Sequence, residues 1–263
     1  MKALGIFGAI LVGFTAGVFF VYSCGGGGSS HADDTPLEAR LATLEEIIEE
    51  LTSYLTIDEG SNINGLAPPH VIITGANLHI RSGAGEYGEA NGLGNLVVGY
   101  NEAATADTTK RNGSHNLVVG PEHEYPSLGG LVAGLANKVF GQYSTVTGGY
   151  DHLAEGYLSS ISGGYRNEAP GEYASVSGGL LNIASGPAAT VTGGAENTAS
   201  GVESSVNGGE ANTASGSYSS VNGGAGNTAQ ADWSSVGGGL AVNLETGLEY
   251  DWAAAELYSA DGP

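Results

Sequence analysis

The chain has 263 residues, and 28 acidic against 7 basic side chains give it a formal charge of -21, so it repels polyanions and has no basic patch for nucleic acid. Its 46 glycines would signal disorder if scattered, but they keep register with a hydrophobic ladder, which marks them as turn residues of an ordered repeat. The single cysteine, Cys24, excludes a disulfide framework within the chain.

At the N-terminus, Lys2 supplies a positive charge, Ala3 to Val21 is almost wholly apolar, and Val21-Tyr22-Ser23-Cys24 resembles a bacterial lipobox. The cysteine of such a motif becomes a lipid-modified N-terminus after cleavage. Tyr22 departs from the motif, in which that position is usually smaller. On this reading residues 1–23 are a signal peptide and 24–34 a lipidated flexible linker, Gly25 to Ser30 being its most flexible part. Gly25 after the cysteine is a residue that, in lipoproteins this chain resembles, favours sorting to the outer membrane. Two alternatives stay open. The apolar run is long enough to span a bilayer as an uncleaved anchor, with Gly13 and Gly17 in a GxxxG, or it is an ordinary cleaved signal. All three readings export the chain, the first two with the membrane as partner.

Thr35 as N-cap, Pro36 at the first helical position and Glu38 as capping-box partner start a helix. Leu37, Leu41, Leu44, Ile48, Leu51 and Leu55 follow at alternating spacings of four and three, an a/d heptad seam that predicts a coiled-coil stalk over 35–56. An amphipathic helix docked on the rest of the chain is the alternative, since Ile47 widens the apolar stripe. Arg40 falls at g and Glu45 at e, and Arg40-Leu41-Ala42-Thr43-Leu44-Glu45 resembles the Arg-h-x-x-h-Glu pattern of parallel trimeric coiled coils. A homotrimer is therefore the expected assembly.

From 57 to 130 the pattern is irregular. Val71-Ile72-Ile73 and Leu78-His79-Ile80 read as strands, and Asn95-Leu96-Val97-Val98-Gly99 and Asn116-Leu117-Val118-Val119-Gly120 are near-copies that read as early coils of a repeat. The aperiodic stretches after them, Tyr100 to Ser114 and Pro121 to Leu128, read as protruding loops. His115, Glu122, His123 and Glu124 form the only local cluster resembling metal ligands, with His115 and His123 its weak candidates. Its spacing fits no zinc pattern, so neither metal nor cofactor is expected.

Val146, Ile161, Val176, Val191, Val206, Val221 and Val236 then stand fifteen apart, each followed by a glycine pair. The spacing predicts an all-β fold, a parallel β-roll or β-solenoid with 15-residue coils, each holding two brief strands and two turns. Leu131-Val132-Ala133-Gly134 enters the register fifteen residues before Val146 to Gly149, so the regular repeats are expected over 131–243. Strand alternation sends Ala174 and Val176 inward and Ser175 and Ser177 outward. Asn167, Asn182, Asn197, Asn212 and Asn227 form one stack, with Ala169, Ala184, Ala199, Ala214 and Ala229 two residues further on. Those asparagines either bond from coil to coil or occupy left-handed turn positions; both roles are structural.

The Ser-x-Val-x-Gly-Gly and Asn-x-Ala-x-Gly frame over Leu131 to Asn243, with the stalk from Leu37 to Leu55, resembles the trimeric autotransporter adhesins. The resemblance implies a left-handed roll, three rolls joined beside a coiled coil, and adhesion as a class. The chain departs from that family in carrying a lipid-type anchor before the coil and no C-terminal membrane barrel. No nucleophile elbow, P-loop or HExxH occurs, and the acids Glu155, Glu168, Glu172, Glu196, Glu203 and Glu210 share no single register, so no enzyme activity is expected.

The whole reads as a lipid-anchored trimeric fibre on a bacterial outer membrane or cell surface, with a surface or polysaccharide ligand. Polysaccharide binding or processing is the alternative. So is ice binding, suggested by the hydroxyl rows Thr145/Thr147, Ser160/Ser162, Ser175/Ser177 and Thr190/Thr192. Residues 244–263 read as a cap, in which Leu248, Tyr250, Trp252, Leu257 and Tyr258 cover the last coil. The rival reading makes Trp252 and the tyrosines a sugar platform.

Overall fold

A computed structural model describes residues 35–85, 88–102, 109–245 and 251–253. The expected signal segment, Cys24 and most of the expected C-terminal cap lie outside the described residues. The chain divides into two units, residues 1–77 and 78–263.

In the first unit, helix α1 (Thr35–Tyr54) starts at the residue read as its cap and carries Glu38 in its first turn, where a carboxylate meets the positive end of the helix dipole. It stops one residue before the end of the expected seam. Leu55 leaves the helix to open strand β1 (Leu55–Asp58), which pairs antiparallel with β2 (His70–Ile73), placing Leu55 opposite Ile73. The Thr74 N–H donates to the Tyr54 carbonyl at 2.9 Å, so the hairpin satisfies an acceptor that the helix end leaves open. Asp58 closes β1 by accepting the Gly60 and Ser61 N–H groups at 2.9 and 3.0 Å, and these bonds hold its carboxyl below the usual carboxylate range.

The second unit is a parallel β-solenoid. Among the described residues, one sheet of eleven strands runs from Leu96–Val98 to Trp252–Ala253 and a second of eight from Lys138–Val139 to Asn243–Leu244. Ser175 pairs with Ser160 and Thr190, and Val176 with Ile161 and Val191, so like stacks on like at fifteen-residue intervals. In this coil Ala174, Val176, Asn182 and Ala184 point inward, Gly171 is buried, Ser175 is half-buried and Ser177 is exposed. The core is a column of valines, alanines and asparagines at essentially zero exposure. In the coils from Asn167 onward the turns run through left-handed residues other than asparagine: Tyr173 (φ 60°) precedes Ala174, and Leu181 (φ 55°) precedes Asn182. The asparagines themselves face the core, which decides between the two roles open to them from sequence.

At one corner the coils approach too closely for any side chain. A Cβ on Gly186 would lie 2.0 Å from the Gly201 carbonyl oxygen and one on Gly201 2.0 Å from that of Gly216. Glycine is required there by the neighbouring coil.

Three expectations are corrected. Pro121 to Leu128 does not protrude as a loop: His123, Tyr125 and Leu128 are buried, and Glu124 bridges Lys138 of the next coil. Leu131 does not occupy the inward position: Val132 pairs with Val146 and is fully buried, while Leu131 pairs with Thr145. The coil is one residue shorter because Gly134 stands alone where later coils have a glycine pair, and a one-residue slip exchanges the inner and outer faces. Leu78-His79-Ile80 is not a strand. The chain after it folds on itself and against the early coils instead: Asn91 Nδ2 donates to the Ser82 carbonyl at 3.1 Å, and the Asn91 N–H donates to Ser114 Oγ at 2.9 Å.

Candidate functional site

The inward asparagines form a continuous polar file. Nδ2 of Asn182 donates to the carbonyls of Gly178 (2.9 Å) and Gly194 (3.0 Å), and Oδ1 accepts the backbone N–H of Asn197 at 3.0 Å. The same three bonds recur at Asn197, Asn212 and Asn227, the last passing to the Val242 N–H. Each amide thus ties the strand before it to the coil after it, using both donors and one acceptor.

The file begins earlier than the five asparagines found from sequence. It includes Asn101, His123, Asn137 and His152, each bonded to the backbone N–H of the next. Counting back fifteen from Asn167 reaches His152 and then Asn137, a signal that the sequence carries. The further step to His123 is fourteen, in the shortened coil. His123 therefore stands inside the roll, with Nδ1 accepting the Asn137 N–H at 3.2 Å and Nε2 3.0 Å from the Val119 carbonyl. Burial holds its imidazole below the ordinary histidine range, against the pull of that carbonyl. Among the described residues no three His, Cys, Asp or Glu side chains gather as a metal group.

The outer surface varies from coil to coil. Glu155, Glu168, Glu172, Glu196, Glu203 and Glu210 are all exposed, with no convergence into a groove. Asp151 bridges Lys138 and Arg166, each at 3.0 Å; burial would raise its carboxyl, but the two cations outweigh it and hold the group below the usual range. The hydroxyl rows bond along their own file. Ser160 Oγ donates to Ser175 Oγ at 3.2 Å, Ser220 Oγ to Ser235 Oγ at 2.9 Å, and Thr147 Oγ1 to the Ser162 carbonyl at 2.9 Å. Those protons are spent within the protein. Towards the first coil the rows turn apolar, through Leu131/Ala133 and Leu117/Val119 to Leu96/Val98.

Aromatic rings line one corner. Tyr157 meets Tyr143 and Tyr173 edge to face at 5.7 and 5.8 Å, and Tyr218 stacks on Trp233 at 4.0 Å with the rings nearly parallel. Trp252 sits elsewhere, in the last strand of the larger sheet, with its backbone opposite Ser235 and its side chain 67% exposed.

In the first unit, the seam residues Leu37, Leu41, Leu44, Ile48 and Leu51 are each more than half exposed, from 54% to 65%. Arg40 and Glu45 lie on the same helix and are exposed. Among the described residues no helix is long and apolar enough to cross a membrane.

These features define a parallel β-solenoid repeat protein with an N-terminal helix. No protein-family model matches the chain, and no curated protein matches it.

Proposed function

We propose that the protein is a non-enzymatic trimeric surface fibre, anchored through a lipid on Cys24, whose β-solenoid presents a repetitive polar surface for attachment in the manner of an adhesin head. The bare seam of α1 carries this reading. A 20-residue helix with six large apolar side chains, Leu37, Leu41, Leu44, Ile47, Ile48 and Leu51, over half exposed is marginal alone in water, and parallel copies would cover the stripe. Arg40 at g and Glu45 at e supply the interchain charge pairs that a parallel trimer uses. A solenoid whose inner positions repeat while its outer positions vary supports presentation rather than turnover, as does the spread of exposed acids. The ligand class that fits the acidic, hydroxyl-rich exterior is a neutral polysaccharide or a weakly charged surface.

The test is the assembly state of the full chain in mild detergent, measured by light scattering. Three chains are expected for the wild type and one for the Leu44→Asp/Ile48→Asp double variant, because each unpaired charge in a closed seam costs several kcal/mol. A monomeric wild type refutes the proposal, and a trimer that survives both substitutions moves assembly to the solenoid.

A further inference from the structure

The asparagine file contains two histidines, and His152 is the one whose hydrogen bonding is incomplete. Its ring is fully buried. Nδ1 accepts the Asn167 N–H at 2.9 Å, just as Asn137 Oδ1 accepts the His152 N–H at 2.9 Å one coil earlier. That bond fixes the tautomer, since an acceptor Nδ1 is unprotonated and the proton sits on Nε2. The donor half of the asparagine role is not replaced. Asn167 sends Nδ2 to Gly163 and Gly179 at 2.9 and 3.1 Å, whereas His152 Nε2 is buried with no hydrogen-bond partner. His123 differs, because its Nε2 lies 3.0 Å from the Val119 carbonyl.

A second proton on the His152 ring can enter only at Nδ1. There it meets the Asn167 N–H head on, breaks the rung and leaves a cation inside the roll. An asparagine rung has no such failure, because its amide does not titrate.

We propose that His152 is an acid-labile rung, a built-in joint at which the solenoid loosens between the His152 and Asn167 coils as pH falls, while the asparagine rungs beyond it hold. Burial keeps the ring below the ordinary histidine range, although the Asp151 carboxylate pulls the other way. A folded ring that binds its proton less readily than the unfolded one stabilises the fold fully above about pH 6.5 and loses that contribution as pH falls below it.

The charged groups on the coils packed against His152 are Lys138 before it, Asp151 beside it and Arg166 after it. Asp151 is already shared by the two cations, and Glu155 and Glu168 are exposed, so no free carboxylate stands ready to hold an imidazolium. The effect stays local because each coil of a solenoid is stabilised chiefly by its immediate neighbours.

Hydrogen exchange of the full chain, read by mass spectrometry at about pH 7.5 and about pH 5 and corrected for the intrinsic pH dependence, tests this. The amides of Leu153, Glu155 and Asn167, which bond across the joint, are expected to lose protection about tenfold or more at the lower pH. Those of Thr198 and Thr213 are expected to keep theirs. His152→Asn, which installs the residue found at this place in the following coils, is expected to abolish the acid response. Equal loss along the whole solenoid overturns the proposal. So does an acid response that persists in His152→Asn, even if that variant is more stable at both pH values.

Discussion

Asn197→Ala measures what the polar file contributes, because the three bonds of this side chain fail in different ways. The Asn212 N–H, which donates to Asn197 Oδ1 at 2.9 Å, lies inside the roll and is left without an acceptor, a loss of about 1–3 kcal/mol. The Gly193 carbonyl, bonded to Nδ2 at 2.9 Å, is partly accessible, so its loss is nearer about 1 kcal/mol. Gly209 keeps the Ala195 N–H at 2.9 Å after losing its Nδ2 partner, and adds little. The sum is about 2–4 kcal/mol, a large share of the stability of an ordinary domain. Thr198→Ala, on the outward position next along the strand, is the control and is expected to stay within about 0.5 kcal/mol of wild type. Urea unfolding followed by circular dichroism gives the global values. Exchange at the Asn212 amide reports the local rung, which matters because a solenoid can open coil by coil. If Asn197→Ala and Thr198→Ala cost the same, the amide file is a passenger and the reasoning fails.

Two glycines of the same coil are expected to respond in opposite ways. Gly186→Ala places a Cβ 2.0 Å from the Gly201 carbonyl oxygen and is expected to destabilise by about 3 kcal/mol or prevent folding, whereas Gly193→Ala meets open space and is expected to change the urea midpoint little, within about 0.5 kcal/mol. At the N-terminus, Cys24→Ser is expected to move the protein from the membrane to the soluble fraction, checked by fractionation and by mass spectrometry of the mature end; an intact residue 1–23 segment would show an uncleaved anchor instead.

The inner file was legible because its period is geometric. Val146 to Val236 repeat at the pitch of the coil, so within that span residues fifteen apart face the same way. The register failed at Leu131, where alignment rested on the glycines rather than on the valines; with one glycine missing, the two markers disagree by one residue. His152 and Asn137 were missed because a search for identical residues passes over a histidine that supplies the same acceptor with a different ring. Leu55 looked like a seam position because it keeps heptad spacing from Leu51. Its backbone is claimed by the hairpin with Ile73, a nonlocal pairing that no helical period reveals. Leu78 to Ile80 offered only three alternating residues, too few to specify a strand without a neighbouring edge.

The division between inner and outer positions bears directly on what the solenoid can present. Inside, one coil cannot differ much from the next, because the corner glycines contact backbone and the amides bond from coil to coil. Outside, the file beyond the glycine pairs reads Leu135, Tyr150, Tyr165, Leu180, Ala195, Glu210, Ala225, Leu240, with no residue type held constant. The first half of that file is aliphatic and aromatic, with Tyr150 and Tyr165 in ring contact at 5.4 Å and Arg166 beside them; the second half carries mostly small or acidic groups. Because the backbone beneath is the same in both halves, the surface can be altered at one coil without disturbing the stacking of the next. That independence is the property on which the proposed attachment to an extended surface would draw.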